Sequence, residues 1–331
     1  MRKVIGIGET VLDIIFKNEQ PIGAVPGGSA FNAIISLGRS GVPTTFISET
    51  GNDRVGRQIV GFLEKNGVST NNICVYPESK SPISLAFLNE QNDAEYLFYK
   101  DHAHDKLDFN LPDVQPDDIV LFGSYYAINP VIRPQVKGFL EYAHERGAIL
   151  YYDVNFRASH KHEVVKLMPN ILENLEMTDI LRGSNEDFEV MFKKDDPDAV
   201  YRSQVSFYCR QFIYTQGAKD VQVRAGKDFG KGYAVPQSDT VSTIGAGDNF
   251  NAGIVYGLIK YGITRADIDG QLSEAQWDAI VDCALKFSGN VCKSLYNYVD
   301  EDFGREMKAE LQQELAKAEE EARDNATDST D

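Results

Sequence analysis

The run Gly245-Ala246-Gly247-Asp248 ends in an acid and combines residue types that suit chemistry on a phosphate group. Small residues at the start of a helix leave backbone N–H groups uncovered, and these groups bind a multiply charged anion with help from the helix dipole. Asp248 would face a group held beside that anion and accept a proton from it. Phosphoryl transfer to a hydroxyl group uses this combination. Taken alone, four residues favour a simpler interpretation, in which a glycine turn is followed by Asp248 as a helix cap.

A second glycine segment lies far upstream and changes that balance. Pro26-Gly27-Gly28-Ser29-Ala30-Phe31-Asn32 leads into the apolar residues Ile34, Ile35 and Leu37, whose spacing is helical. Glycine at a helix start lets a ligand approach the backbone closely. Two such starts in one chain favour a binding site over an isolated turn.

The overall charge argues against two classes of partner. With 50 acidic and 33 basic side chains among 331 residues, the formal net charge is -17. Nucleic acids and anionic membranes require a basic surface that displaces their counterions, so we expect neither as a partner. A nucleotide would have to be attracted locally, by backbone amides, bound Mg²⁺ and a few cations.

The cysteines and the apolar runs predict a cytoplasmic protein. Cys74, Cys209, Cys283 and Cys292 have neither metal-ligand spacing nor a C-x-x-C pair, which is typical of reduced thiols. The apolar run that begins at Val4 is too short for a signal peptide, and no stretch is long enough to span a bilayer.

Short β-rich apolar runs alternate with longer amphipathic stretches, and this pattern predicts a mostly parallel sheet covered by helices. The predicted strands are 4–7, 45–47, 119–122, 149–152 and 212–215, and the predicted helices are 29–40, 55–66, 132–145, 164–175 and 247–261. Ligands of such sheets bind beyond the carboxyl ends of the strands. We therefore expect Asp153, Gly217 and the Gly245 turn to gather at one edge.

Two segments depart from this alternation. Residues 10–22 and 83–99 have the pattern of edge strands in a separate small sheet, which would form a lid that keeps water from the reaction. A dimer-forming β-arm is the alternative, and one sheet can serve both purposes. Because an exposed lid edge would be covered by pairing with a second subunit, we expect a homodimer.

Taken together, these motifs resemble the ribokinase or PfkB family of carbohydrate kinases. Gly27-Gly28 with Asn32 resembles the amino-terminal signature of that family, and Gly245 to Asp248 with Phe250, Ala252 and Gly253 resembles the carboxy-terminal one. The resemblance implies an α/β fold, a ribokinase-like three-layer domain with a mostly parallel sheet and a small β-sheet lid. It would comprise residues 1–315, with lid segments inserted at about 10–25 and 82–100. The acidic tail 316–331 lacks apolar anchors, so we expect it to be disordered.

The same resemblance implies ATP and Mg²⁺ as cosubstrates and assigns roles by position. Asp248 would be the catalytic base, and the amides of Gly245, Ala246 and Gly247 would neutralise charge on the transferring group. The residues that would bind sugar are Asp13, Gly27, Gly28, Asn32, Lys100 and Arg157. The residues that would border the nucleotide are Thr215, Gly217, Ser184 and Asn290.

Two of the departures of this sequence from the family pattern concern metal ions. Ser242-Thr243-Ile244 stands where relatives commonly have Asp-Thr-Thr, so a monovalent cation such as potassium is left open. The Asn-x-x-Glu element of the family, which acts on Mg²⁺ through water, matches best when Ser184 is read with Asp187.

The segments Phe98-Tyr99-Lys100 and Asp153 to Arg157 look most like fructokinase relatives, so fructose is the first substrate hypothesis. Ribose, 2-dehydro-3-deoxygluconate and a nucleoside stay open, and the acid sugar is favoured if Lys100 and Arg157 both reach the pocket. A vitamin kinase is disfavoured by the Gly27-Gly28 and Asn32 constellation. A hypothesis of another class is a sugar-binding relative without catalytic activity.

Overall fold

A computed structural model describes residues 1–90, 94–100, 107–237 and 239–328. The strands are β1 (Val4–Ile7), β2 (Val11–Lys17), β3 (Gln20–Gly27), β4 (Thr44–Gly51), β5 (Val68–Ser69), β6 (Ile73–Tyr76), β7 (Ile83–Leu88), β8 (Ala94–Tyr99), β9 (Ile119–Gly123), β10 (Ile149–Asp153), β11 (Ile180–Ser184), β12 (Gln211–Thr215), β13 (Asp220–Ala225) and β14 (Phe229–Ala234).

The helices are α1 (Ser29–Arg39), α2 (Arg54–Lys65), α3 (Ser124–Ile128), α4 (Arg133–Glu145), α5 (Val164–Met177), α6 (Asn185–Phe192), α7 (Pro197–Val200), α8 (Ala246–Lys260), α9 (Arg265–Asp269), α10 (Glu274–Val291) and α11 (Glu301–Asp328). Among the described residues, no helix is both long enough and apolar enough to cross a membrane.

The large sheet has the strand order β14-β13-β12-β11-β10-β9-β1-β4-β5, and β6 also pairs with β4. The strands from β12 to β4 run parallel, whereas β13 and β14 form an antiparallel hairpin at one edge. Strands buried on both faces are expected to be continuously apolar, as Val4–Ile7 and Ile119–Gly123 are. The predicted mostly parallel sheet is confirmed.

Helices cover both faces of this sheet, so a hydrophobic core lies on each side of it. Two neighbouring residues of β10 point into different cores. Tyr151 packs into the core beneath α1, α8 and α10, whereas Tyr152 packs into the opposite core beneath α4 and α5. Both tyrosines are fully buried. This alternation follows from the two-residue period of a strand, and it gives the three-layer arrangement that was predicted.

A separate four-stranded sheet in the order β3-β2-β7-β8 forms the predicted lid. Its strands alternate between two faces, so that Asp13, Ser84 and Phe98 lie in register on one side. Val11, Asp13, Tyr96 and Phe98 on this side line the main cavity. The lid therefore contributes side chains to the site that it covers.

Several elements differ from the sequence-based prediction. Strand β11 was missed because Arg182 and Gly183 interrupt its apolar run, and helix α10 was not recognised at all. Residues 316–328, which were expected to be disordered, continue helix α11, and the last three residues of that predicted tail lie outside the described part of the chain. Acidic residues at the start of α11 suit its positive helix end.

Candidate active site

A cavity of about 450 Å³ lies between the lid and the carboxyl ends of the central strands. Its wall is formed by the starts of α1, α6 and α8, by the loop after β10 and by the inner face of the lid. Of the predicted site residues, the ones that line it are Asp13, Gly28, Asn32, Arg157, Ser184, Asp187, Gly245 and Asp248. Both glycine segments thus meet at one cavity, as parallel strands with helices at their ends predict.

Asp248 lies in the first turn of α8, and its two carboxylate oxygens are held by different donors. Ser29 Oγ donates to Oδ1 at 2.7 Å, and Asn32 Nδ2 donates to Oδ2 at 2.8 Å. Burial raises the pKa of Asp248, and the two hydrogen bonds oppose that rise. The carboxylate is therefore oriented toward the cavity and more basic than an exposed aspartate.

Of the three residues in the turn before Asp248, Gly245 lines the cavity, whereas Ala246 and Gly247 do not. Gly245 has a φ of 75°, which favours glycine, and it precedes the first residue of α8. The amide of Ala246 donates to the carbonyl oxygen of Thr243 at 3.1 Å, so this predicted anion donor is already engaged. Within the described part of the chain, the amides of Gly245 and Gly247 have no such backbone partner.

Asp13 faces the cavity from lid strand β2 and is only 6% exposed. Ser84 Oγ donates to its Oδ1, and Asn297 Nδ2 donates to its Oδ2 at 3.2 Å. Burial raises the pKa of Asp13 to about 6, against the lowering effects of Ser84, Arg157 and Asn297. Gly27 lies next to Asp13. A Cβ atom at position 27 would come within 2.6 Å of Asp13 Oδ2, so only glycine leaves room for this carboxylate.

A buried arginine lies behind the turn, and sequence reasoning missed it. Arg182 donates to Asp153 Oδ1 at 2.9 Å and to Thr215 Oγ1 at 2.8 Å. A Cβ atom on Gly247 would lie 3.0 Å from Arg182 Nη2, so the missing side chain lets the guanidinium approach the turn. Thr215, predicted at the nucleotide, therefore contacts this arginine instead of lining the cavity.

The two predicted sugar-binding cations occupy different positions. Arg157 lines the cavity, and its guanidinium lies 5.4 Å from the ring centre of Tyr96. Lys100 does not line the cavity; it forms an ion pair with Glu9, which does. The charge of Lys100 is thus neutralised by a cavity residue before any substrate binds.

Ser184 and Asp187 form a capping box at the start of α6. Asp187 Oδ2 accepts from the amide and the hydroxyl group of Ser184, and Oδ1 accepts from the amide of Phe156 at 2.7 Å. These bonds occupy the carboxylate that was predicted to act on Mg²⁺ through water. Glu186, one residue earlier, is exposed and lines the cavity, so it is the carboxylate with room for a hydrated metal ion.

The described residues contain no cluster of three or more His, Cys, Asp or Glu side chains that could hold a metal ion directly. A metal that entered with a nucleotide would keep several waters and phosphate oxygens as ligands, and one or two carboxylates then suffice. Glu186 fits that requirement.

Two predicted nucleotide residues lie away from the cavity. Gly217 follows β12 with a φ of 58° and open space around it. Asn290 near the end of α10 donates to Asp300 Oδ2 at 2.7 Å and accepts from the amide of Asp300 at 3.0 Å. Asn290 therefore ties α10 to the start of α11, a structural role that the sequence did not indicate.

Besides Glu186, three further residues belong to the site and were given no role from sequence. Ser29 was part of the early glycine segment, and its hydroxyl group next to Gly28 was the available signal. Arg182 was hidden because a charged residue in an apolar run argues against a strand. Asn297 is far from every motif in sequence, so nothing pointed to it.

Residues 1–293 match the pfkB family carbohydrate kinase. A probable fructokinase-5 of Arabidopsis thaliana is 27% identical over 257 residues, which cover 76% of this chain and 78% of that protein. A 5-dehydro-2-deoxygluconokinase of Geobacillus thermodenitrificans is 30% identical over 71% of this chain and 72% of its own length.

Solved structures extend the similarity of fold to nearly the whole chain. The crystal structure of a fructokinase from Xylella fastidiosa with bound ATP superposes with a TM-score of 0.77 at 19% identity, covering 96% of this chain and all of that one. At this identity the superposition supports the fold alone.

Proposed function

The chain belongs to the pfkB family of carbohydrate kinases and is a phosphotransferase with an alcohol group as acceptor, and from this premise we propose that it transfers the γ-phosphoryl group of ATP to a hydroxymethyl group of fructose. The observation that carries the proposal is the hydrogen bond between Asn32 and Asp248, which places both glycine segments at one cavity. Sugar and phosphate can therefore meet at one carboxylate.

In the proposed reaction, the sugar lies between Asp13 on the lid and Asn32 on α1. An ionised Asp13 accepts hydrogen bonds from two hydroxyl groups, and Asn32 Oδ1 is a buried acceptor without a partner among the described residues. A sugar hydroxyl group satisfies that oxygen. Gly28 lines the cavity just before α1, and the missing side chain of Gly27 leaves room for the Asp13 carboxylate.

Asp248 then accepts the proton of the attacking hydroxyl group. Because the transition state of phosphoryl transfer is loose, the nucleophile needs little activation early, and a modestly basic carboxylate is sufficient. The free amides of Gly245 and Gly247 donate to the transferring group, and the buried Arg182 adds positive charge behind them. The raised pKa of Asp248 brings it closer to that of a useful base.

ATP would approach from the side of α6 and the Gly245 turn. Mg²⁺ that binds together with ATP would neutralise part of the negative charge of the phosphate groups. On the protein, Glu186 replaces Asp187 as the proposed contact to the hydrated metal ion, because the oxygens of Asp187 already cap α6. Thr215 orients Arg182 and does not itself contact the nucleotide in this proposal.

The charges around the cavity favour a neutral sugar. Asp13, Glu186, Asp187 and Asp248 line it in addition to Glu9, which is paired with Lys100, and Arg157 is the one lining residue of opposite sign in the described part of the chain. A substrate carboxylate would add to this excess of negative charge. Lys100 offsets only the charge of Glu9, with which it is paired. The condition set for an acid sugar, that Lys100 and Arg157 both reach the pocket, is therefore not met by Lys100.

A second candidate substrate is 5-dehydro-2-deoxygluconate. The Geobacillus thermodenitrificans relative that is named for this acid sugar is 30% identical, and Arg157 is placed where it can bind a carboxylate with two hydrogen bonds. A direct comparison of activity on fructose and on this acid sugar distinguishes the two candidates.

We propose a homodimer formed by the outer faces of two lids. On that face Phe16 and Phe87 stack with ring centres 4.8 Å apart, and Leu97 and Tyr99 of the edge strand are 47% and 57% exposed. Apolar side chains on a sheet edge are protected by pairing with another strand. Sedimentation or light scattering measures the mass directly, and a monomer at micromolar concentration contradicts this part of the proposal.

A cytoplasmic location is also proposed. It is supported by the cysteines, all four of which are free, three of them buried. Free buried thiols suit a reducing compartment.

The experiment that tests the proposed function is a substrate panel in which ATP consumption is measured with fructose, ribose, a nucleoside, 2-dehydro-3-deoxygluconate and 5-dehydro-2-deoxygluconate. We expect fructose to give the highest kcat/KM. Parallel reactions in sodium and potassium salts measure the effect of the monovalent cation, which the sequence left open. Strong activity on an acid sugar or a nucleoside with none on fructose would overturn the substrate assignment.

A further inference from the structure

The loop between α10 and α11, residues 292–300, lies almost entirely beyond the part of the chain that matches the family, yet it reaches the cavity. Asn297 in this loop is 3% exposed and lines the cavity. Its contacts join two halves of the site that the sequence places far apart.

The side chain of Asn297 contacts the sugar half. Nδ2 donates to Asp13 Oδ2 at 3.2 Å, while Ser84 holds the other oxygen of the same carboxylate. A Cβ atom on Gly27 would lie 2.6 Å from Asp13 Oδ2 and 3.2 Å from Asn297 Nδ2. Glycine at this position therefore allows the carboxamide and the carboxylate to meet.

The backbone of Asn297 contacts the phosphate half. Its carbonyl oxygen accepts from Asn249 Nδ2 at 2.8 Å, and the same amide group donates to the carbonyl oxygen of Gly245 at 2.8 Å. A Cβ atom on Gly245 would lie 2.7 Å from the Asn297 oxygen, so the turn and the loop are in direct contact.

The loop is held in place from outside the cavity. Ser36 Oγ accepts from the amide of Val299 at 3.1 Å, and Arg39 donates to the carbonyl oxygen of Val299 at 2.6 Å. The Arg39 guanidinium lies 4.8 Å from the ring centre of Tyr298. Helix α1 therefore fixes the position of Asn297 before substrate binds, which reduces the entropy cost of ordering it.

From these contacts we propose that Asn297 is a positioning residue for the sugar, which acts through Asp13 by aiming its carboxylate at the substrate hydroxyl groups and keeping it ionised. This inference rests on the proposed function. A carboxamide donor suits the task because it supplies a hydrogen bond to the charged carboxylate without adding a charge of its own to an acidic cavity.

Other groups also act on Asp13, and the test must separate them from Asn297. Arg157 favours the ionised form and Glu9 opposes it, whereas Ser84 donates a hydrogen bond. The phenol groups of Tyr96 and Tyr298 also interact electrostatically with Asp13. None of these residues is changed in the variants below.

The experiment compares Asn297→Ala and Asn297→Asp with a matched control, Tyr296→Ala. Tyr296 is the neighbouring residue of the same loop, but its side chain is 59% exposed and does not line the cavity. Asn297→Asp keeps the size of the side chain and replaces the donor by a carboxylate that repels Asp13. For each variant we would measure KM for fructose and for ATP, the pH profile of kcat/KM for fructose, and Tm.

For Asn297→Ala we expect KM for fructose to rise about 10-fold or more, which is the scale for losing a hydrogen bond to a charged group, and KM for ATP to change less than about threefold. The acidic limb of the profile should move to higher pH, and further still in Asn297→Asp. Tyr296→Ala should match the wild type. In an Asp13→Asn background, Asn297→Ala should have little additional effect.

Equal increases in both KM values, an acidic limb that stays in place, or full additivity with Asp13→Asn would each overturn the inference. Such results would leave the loop with a purely structural role. Failure of the proposed function looks different, because the wild-type protein would then phosphorylate no sugar of the panel.

Discussion

Asn32 donates a hydrogen bond from Nδ2 to Asp248 Oδ2 at 2.8 Å, across a separation of 216 residues in sequence. Ser29, one helical turn earlier, holds the other oxygen of the same carboxylate. Helix α1 therefore orients the proposed base of helix α8. Two glycine segments that are weak evidence separately form one site because of this contact.

Replacing Ser29 with alanine should weaken catalysis most at low pH. The Ser29 hydrogen bond lowers the pKa of Asp248 against the effect of burial, so its loss should raise that pKa further. We expect kcat to fall about 10-fold near pH 6 and less at pH 8, measured as a full pH profile. Ser203→Ala, on the exposed surface, is the control. A uniform decrease at all pH values would argue against this role for Ser29.

Replacing Asp13 with asparagine should stabilise the protein near neutral pH while impairing sugar binding. The pKa of Asp13 is raised from 3.8 to about 6 by burial, so its contribution to stability is present below pH 4 and is lost as the pH rises through 6. A shift of this size corresponds to about 2 to 3 kcal/mol. Urea unfolding between pH 4.5 and 8 should show the advantage of the variant growing with pH. An advantage that shrinks with pH would contradict the assignment.

Replacing Arg182 with methionine should impair both folding stability and ATP use. Asp153 would lose its buried partner at 2.9 Å, and an uncompensated buried charge costs about 3 to 5 kcal/mol. The double variant with Asp153→Asn should lose less stability than the sum of the single changes, as measured by urea unfolding. Its KM for ATP should nevertheless stay high, because no cation remains behind the turn. Recovery of wild-type ATP affinity in the double variant would show that Arg182 has only a structural role.

Gly245→Ala should be much more harmful than Gly262→Ala, although both residues have positive φ values of 75° and 63°. Gly262 has open space around it, so alanine there measures backbone strain alone, about 1 kcal/mol. Alanine at 245 adds a contact of 2.7 Å with the carbonyl oxygen of Asn297. We expect a loss of more than about 2 kcal/mol and a large increase in KM for ATP. Similar effects of the two changes on stability and on KM would refute the proposed contact.

The sequence predicted those parts of the fold in which local pattern and burial agree. Continuous apolar runs identified β1, β9 and β10, and the lid followed from the departure of residues 83–99 from the helix alternation. Strand β11 was missed because Arg182 is stabilised by Asp153 and Thr215, partners that only the folded chain brings near. The pattern of a single strand cannot report such a pairing.

The site was predictable to the extent that chemistry was concentrated in short motifs. Asp13, Asn32 and Asp248 line one cavity, and their roles there stay predictions, whereas Asn290 and Asp187 make hydrogen bonds within the fold. An aspartate that caps a helix and an aspartate that is free to bind a ligand look the same in a sequence. Only the folded structure, which shows their hydrogen-bond partners, distinguishes the two.

The central claim is that the Asp248 carboxylate accepts the proton of a sugar bound in the same cavity as the phosphate. It is tested most directly by sugar-dependent ATP turnover in Asp248→Asn, with Asp282→Asn on the exposed face of α10 as the control. We expect a loss of at least about 10²-fold in kcat, with KM values for ATP and fructose near those of the wild type and an unaffected control. Turnover near the wild-type rate in Asp248→Asn would show that Asp248 is not the base.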